Sequence, residues 1–252
     1  MIIRKPTKRH IPELKALWKQ AFSDTDEYID AFFETAFSVE RCLLAEKESK
    51  TVSALYWFDC EYLGKKVAYL YAIATFEKYR GNGFCSTLMN SAKKVLKDLG
   101  YSGVLLMPSN KGLFEFYVRL GYKEVCCVDE FSAVASRPTA LHKIDAAEYF
   151  ELRKKYLKPL HVVQEGVNID FMTIQAEFYS GEDFILALKN ENGEIFGTEI
   201  LGNTSAAGGI LAALGYREAM FRTVGKSKPF VLWQPLGTKP LPCPEYFGLA
   251  FD

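Results

Sequence analysis

Residues Tyr79–Ser91 read YRGNGFCSTLMNS. An arginine and two glycines stand directly before a run of apolar residues at helical spacing. Free backbone N–H groups at a helix N-terminus bind anionic oxygen, and small residues in the loop admit it. Gly81 and Gly83 let a phosphate approach the main chain closely, and Arg80 adds a positive charge at the rim. A plain strand–turn–helix whose glycines satisfy its dihedrals accounts for the same residues. The stretch alone does not choose between these readings.

Moving outward, Phe84, Leu88, Ala92, Val95, Leu96 and Leu99 form an i, i+4 ladder, and Gly100 closes the helix. The preceding run, VAYLYAIAT (Val67–Thr75), is apolar enough for a central strand. Before it come a short edge strand in MIIRKP and a helix over Ile11–Phe22, with Pro12 near its start and Glu13 three residues after His10. His10 reads as a boundary residue. A second helix follows over Glu27–Phe37. CLLAE and TVSALYWFDCEYL form a hairpin about the turn KESK, and Gly64–Lys65 makes the next turn. After the glycine helix, GVLLMP (Gly103–Pro108) is a buried strand, Lys111–Leu120 a short helix and YKEVCCV another strand. Cys126 and Cys127 are expected to alternate across that strand. This order predicts a mixed α/β layer with one βαβ crossover at the glycines.

The linker is placed at ASRPTA (Ala135–Ala140). Asp145 with Glu148 opens a helix to Tyr156. Ile169–Tyr179 is expected as a second helix, DFILALKN as a strand, ENGE as a turn and IFGTEIL as its partner. Helix–helix–strand–turn–strand repeats the order of Ile11–Leu63, which implies an internal structural repeat. The second copy has a glycine-containing helix, SAAGGILAALG (Ser205–Gly215), with no arginine before it. The domains are therefore set at residues 1–133 and 134–252, the second a degenerate copy.

Lysine plus arginine balances aspartate plus glutamate at 31 each, so no global field draws the chain to nucleic acid or an acidic membrane. The start lacks an apolar leader segment and no apolar run approaches a membrane span, which predicts a cytoplasmic protein. Six cysteines without CxxC spacing or partnered histidines argue against a metal site or disulfide framework. Asp24, Asp26, Glu27 and Asp30 in SDTDEYIDAFFE can attract a cationic amine, or can serve as an N-cap with dipole-favoured acids.

Two stretches together, LYAIATFEKYRGNGFCSTLM (Leu70–Met89) and GVLLMPSNKGLFEFYVRLGY (Gly103–Tyr122), resemble the GCN5-related N-acetyltransferase (GNAT) superfamily. That family's acyl-CoA signature, Arg/Gln-x-x-Gly-x-Gly/Ala, is met by Arg80 and Gly83, with Cys85 a departure from glycine or alanine. Asn110, Tyr117 and Gly121–Tyr122 match its second signature. The repeat makes the chain similar to the tandem, Eis-like branch, although no segment is left over for that branch's third domain. The resemblance implies a GNAT fold with a degenerate second GNAT-like domain, and acetyl-CoA as cosubstrate with no metal. It places the pyrophosphate on amides of Arg80, Gly81, Asn82, Gly83, Phe84 and Cys85. The pantetheine would run along Ile73, Ala74 and Thr75, in a splay between that strand and GVLLMP, with Asn110 holding the cofactor arm. Tyr117 would be the general acid. The central strand offers no carboxylate as base, and the C-terminal carboxylate at Asp252, after the strand-like YFGLAFD, is the candidate. The implied activity is acetyl transfer to a primary amine of a small molecule or peptide, a cationic amine among the candidates, by a monomer or homodimer. The alternative is a non-catalytic acyl-CoA-binding sensory or regulatory protein. A dinucleotide-binding fold is disfavoured, because its glycine loop should open the domain.

Overall fold

Strand alternation, helix caps and turn glycines divide the chain into fourteen strands and seven α-helices among the described residues, which in this computed structural model are 1–164, 166–191, 193–237 and 239–251. The strands are β1 (Ile2–Arg4), β2 (Cys42–Lys47), β3 (Lys50–Tyr62), β4 (Lys65–Thr75), β5 (Gly103–Leu106), β6 (Lys123–Val125) and β7 (Val128–Val134). They continue with β8 (His142–Ile144), β9 (Val163–Gln164), β10 (Glu177–Ser180), β11 (Phe184–Glu191), β12 (Glu194–Gly202), β13 (Glu218–Val224) and β14 (Val231–Pro235). The helices are α1 (Ile11–Phe22), α2 (Asp26–Thr35), α3 (Phe84–Asp98), α4 (Lys111–Arg119), α5 (Ala146–Tyr156), α6 (Val167–Gln175) and α7 (Ala207–Leu214).

Two compact units result, and neither is one continuous stretch of chain. The first comprises Met1–Lys123, Gln164–Phe171 and Leu232–Pro242, and the second Glu124–Val163, Met172–Val231 and Cys243–Asp252. In the first, strands lie in the order β1-β2-β3-β4-β5-β14. The β4–β5 pair is parallel, as the crossover through α3 requires, whereas β1–β2, β2–β3, β3–β4 and β5–β14 are antiparallel. The faces follow from period-2 alternation. Leu43, Leu55, Trp57, Ala68 and Leu70 pack with Leu88, Met89, Ala92 and Leu96 of α3. Tyr56, Phe58 and Tyr71 instead meet Trp18 of α1 or Phe32 of α2.

The second unit orders its strands β7-β13-β12-β11-β10-β8, again with a single parallel pair, β12–β13, spanned by α7. The series β8, β10, β11, β12, α7, β13 thus follows the connectivity of β1, β2, β3, β4, α3, β5. In each unit the strand beyond the parallel pair is antiparallel and comes from far along the chain. β14 pairs β5, with Leu232 opposite Leu106, and β7 pairs β13, with Phe131 opposite Phe221.

Several expectations are corrected. The second helix of the later half ends at Gln175, and Tyr179 lies on β10 between β8 and β11, where Phe178 and Tyr179 bury their rings. Cys126 and Cys127 do not alternate on one strand: Cys126 adopts φ 56° between β6 and β7, and its thiol reaches the Pro244 carbonyl at 3.5 Å. The described part of YFGLAFD is buried but makes no strand, and only Tyr246 forms a single bridge, to His161. Asp252 lies outside the described residues, as does Asn192 of the expected ENGE turn. His10 and Glu13 do not cap together. Glu13 accepts from the Thr51 amide at 2.9 Å, and His10 Nδ1 turns back to the Thr7 amide at 2.8 Å. The helix α2 is capped by Thr25, which accepts from the Tyr28 amide at 3.2 Å, rather than by an acid. The Asp145 cap is made as expected, accepting from the Glu148 amide at 2.8 Å.

Candidate active site

The strand β4 carries the first element of the site. Ala54 pairs Ala74 and Tyr56 pairs Tyr71, so Leu55 faces both Ala72 and Ile73. That is one residue too many on β4, a bulge, and Ala72 takes the strained φ of 45° that it demands. On the other side, pairing with β5 stops at Leu70 opposite Leu106. From Tyr71 to Thr75 the strand therefore pairs β3 alone, and its second edge opens into the splay expected beside Ile73, Ala74 and Thr75. Ile73 packs toward the α3 side. Ser53 fixes the strand end, its hydroxyl donating to the Ala74 carbonyl at 2.6 Å and lying 2.9 Å from Thr75 Oγ1.

The loop after β4 is shaped by its own hydrogen bonds. Arg80 folds back so that Nε donates to the Thr75 carbonyl at 3.2 Å. Asn82 Nδ2 donates to the carbonyls of Tyr79 and Arg80 at 3.2 and 3.0 Å, turning the loop upon itself. Gly81 and Gly83 have φ of 76° and 74°, where other residues are strained. A Cβ at either would meet nothing within 4 Å among the described residues, whose packing leaves the space before the loop open. Gly83 is the N-cap of α3 and offers no side chain to the amides of the first turn, which includes Phe84 and Cys85. That turn holds no acidic residue. It is a helix N-terminus open to an anion.

Cys85 is half-buried and packs on the α3-side core. Burial pushes its thiol up to about 11. The group stays neutral near pH 7, so it neither repels an anion nor forms the thiolate on which oxidation depends. Beyond it stand two phenols. Tyr117 of α4 is 5% exposed and Tyr122 2%, with ring centroids 6.0 Å apart. Burial, then the neighbouring Cys85 and Tyr122, holds Tyr117 well above the ordinary phenol value. The Tyr122 hydroxyl is buried and has no hydrogen-bond partner among the described residues. Asn110 caps α4, its Oδ1 accepting from the Leu113 amide at 3.1 Å, so its amide nitrogen is the group left to donate elsewhere.

The structure thus gathers Cys85 with Tyr117, and Arg80 with Thr75, while Asp252 lies outside the described residues. The acids of SDTDEYIDAFFE are largely engaged: Asp24 accepts from Trp18 Nε1 at 2.7 Å, Lys19 lies 2.9 Å from Asp26, and Lys15 lies 2.7 Å from Asp30. Sequence reading took VAYLYAIAT as simply apolar and so passed over Tyr71, whose hydroxyl lies 2.8 Å from that of Tyr28. The available signal was the pair Tyr69 and Tyr71, each a polar handle on an apolar body, in a run read as apolar throughout.

The second unit's counterpart is closed. A Cβ on Gly208 would lie 2.7 Å from the Val134 carbonyl oxygen, and one on Gly209 3.0 Å from that of Arg137. Ser136 and Thr139 amides donate to the carbonyls of Gly208 and Gly209 at 2.9 and 3.3 Å. The chain's own backbone covers α7 where α3 is bare.

Residues 2–125 match the model of the acetyltransferase (GNAT) domain. No curated protein sequence matches the chain significantly. Among solved structures, a GCN5-related N-acetyltransferase from Anabaena variabilis is similar over 94% of this chain and 73% of its own, with TM-score 0.73 and 11% identity. A probable N-acyltransferase from Enterococcus faecalis is similar over 93% and 72%, with TM-score 0.68 and 16% identity. Eis1 from Mycobacterium abscessus is similar over 94% and 74%, with TM-score 0.66 and 11% identity. These likenesses show a shared fold across nearly the whole chain, within which residues 2–125 carry the match to the GNAT acetyltransferase domain.

Proposed function

We propose that the protein moves an acetyl group from acetyl-CoA to a primary amine by direct attack of the amine on the thioester. The observation that carries this reading is the bare N-terminus of α3 beside the edge of β4 that β5 leaves open. The pyrophosphate would lie on the amides from Arg80 to Cys85, with the Arg80 guanidinium at the rim. The pantetheine would run along Ile73–Thr75, where an unpaired strand amide can polarise the thioester carbonyl as negative charge develops on it. Asn110 would donate to the cofactor arm. Tyr117 would face the departing sulfur. A phenol is a weaker acid than a thiol by roughly 2 kcal/mol at ordinary values, and burial widens the gap. Tyr117 therefore stabilises the thiolate by donating a hydrogen bond, and solvent completes the protonation.

Calorimetry with acetyl-CoA, ATP and NAD tests the ligand, and free-thiol release across a panel of amines tests the reaction. Acetyl-CoA alone should bind, and at least one amine should release thiol. For Tyr117→Phe, turnover is expected to fall about tenfold, the loss of one hydrogen bond to the departing thiolate at about 1.5 kcal/mol, with acetyl-CoA affinity retained. Full turnover in that variant would remove Tyr117 from the mechanism. The lack of a carboxylate on β4 favours a second reading, an acyl-CoA sensor. Binding without turnover on any amine would select it.

A further inference from the structure

Acetyl transfer leaves the acceptor side with a proton to dispose of. When a neutral amine attacks, an N–C bond forms and the C–S bond breaks. The nitrogen then carries one proton more than the amide can keep, and the thiolate needs one. Tyr117 serves the sulfur from the α3 side. For the nitrogen, β4 offers no carboxylate, but it does offer Tyr71, the first residue past its last pairing with β5. The Tyr71 ring lies on the opposite face of the sheet, 5.4 Å from Trp18, 5.8 Å from Phe32 and 5.6 Å from Phe58. It stands two positions before Ile73, roughly 7 Å along the strand.

Its hydroxyl is 2.8 Å from that of Tyr28 on α2, and either oxygen can be the donor. Both side chains are only half-buried, so the pair reaches from the splayed edge toward water. Phe171 roofs it, with ring centroids 5.7 Å from Tyr28 and 6.2 Å from Tyr71. The Tyr71 phenol is held well above its ordinary value by burial, then by Tyr28, Tyr69 and Asp24. It stays protonated, which rules out a phenolate base and leaves hand-over.

We propose that Tyr71 and Tyr28 form the proton relay of the acceptor side, supplying what a strand carboxylate would otherwise do. This rests on the acetyl-transfer reading. The Tyr71 oxygen takes the proton from the nitrogen as its own proton passes to Tyr28, whose proton leaves to water. Neither phenol ends charged. The thiolate gains one proton from solvent, so amine and acetyl-CoA give amide and CoA with nothing left over. Tyr71 touches the reacting nitrogen, and Tyr28 acts through it.

The test uses the full chain with whichever amine the unaltered protein turns over fastest, in Tyr71→Phe, Tyr28→Phe and the double variant. Each single change is expected to lower kcat about 30-fold, since water replaces the relay only in part, and the double variant should be no worse than either single. Both changes keep the rings, and the Kd for acetyl-CoA should be unchanged, which certifies the fold. If Tyr71→Phe fails to fold, Tyr28→Phe at the rim carries the same kcat test. Unchanged kcat, a rise confined to the amine KM, or multiplying losses in the double variant would each overturn the relay alone. No turnover of any amine by the unaltered protein would overturn the acetyl-transfer reading, and the relay with it.

Discussion

Arg153→Met is expected to destabilise the second unit by about 3–5 kcal/mol, the cost of stripping one partner from a buried ion pair. Glu199 on β12 is 0% exposed. Its Oε2 accepts from Arg153 Nε at 2.6 Å and from the Tyr149 hydroxyl at 2.7 Å. Its Oε1 accepts from Arg153 Nη2 at 2.9 Å and from the Tyr246 hydroxyl at 2.8 Å. Burial, with Glu199 adding, keeps both phenols far above their ordinary range, so they remain donors. Removing the guanidinium leaves a carboxylate in an apolar interior with two neutral donors. Arg153→Met with Glu199→Leu should recover part of the loss, although two hydroxyls are then orphaned. Probe choice adds resolution, because Trp18, Trp57 and Trp233 all belong to the first unit. Urea unfolding followed by circular dichroism reports both units and tryptophan emission reports the first. An unchanged dichroism transition in Arg153→Met would refute the assignment of stability to this cluster.

Gly83→Val is expected to raise the Kd for acetyl-CoA about a thousandfold, as two charge-assisted bonds at about 2 kcal/mol each are lost. The variant attacks the ligand's space and not the core's, since a Cβ there meets nothing within 4 Å. The fold bears only the strain of a β-branched residue at φ 74°, about 1–2 kcal/mol. Calorimetry gives the affinity and a thermal scan separates the two effects. Wild-type affinity in Gly83→Val would take the phosphate away from this loop.

The glycine loop could be read in advance because its chemistry is local: φ-permissive residues, a capless helix start and an arginine lie within a few positions. The first helix pair and the β2–β3–β4 meander were legible for a similar reason, since neighbours in sequence pair in space. Tyr71 and Tyr28 were not, because their meaning is a distance between residues 43 apart in the chain. Glu199 was equally hidden. In IFGTEIL it sits within the buried run Gly197–Leu201, and the groups that make its charge tolerable, Arg153, Tyr149 and Tyr246, all lie on other segments of the chain. Tyr179 was misread because the aromatic run AEFYS fits a helix end until β8 and β11 claim it from both sides. The role of VLWQP beside β5 had no local signature. The clue was steric and lay at Gly103, where a Cβ would fall 1.8 Å from the Trp233 ring.

The pairing of β14 with β5 also sets a timetable for synthesis. A ribosome adding roughly 5–20 residues per second releases β5 on the order of ten seconds before the strand that covers its edge. In that interval Gly103–Leu106 presents unpaired amides and carbonyls beside apolar side chains, and the nascent β7 is nearby in sequence yet belongs beside β13. The first unit therefore cannot close as it emerges. Slower elongation between residues 106 and 231 should lengthen its exposure to aggregation and to chaperones, whereas the second unit, whose β7 is already made when β13 appears, can complete its sheet without waiting.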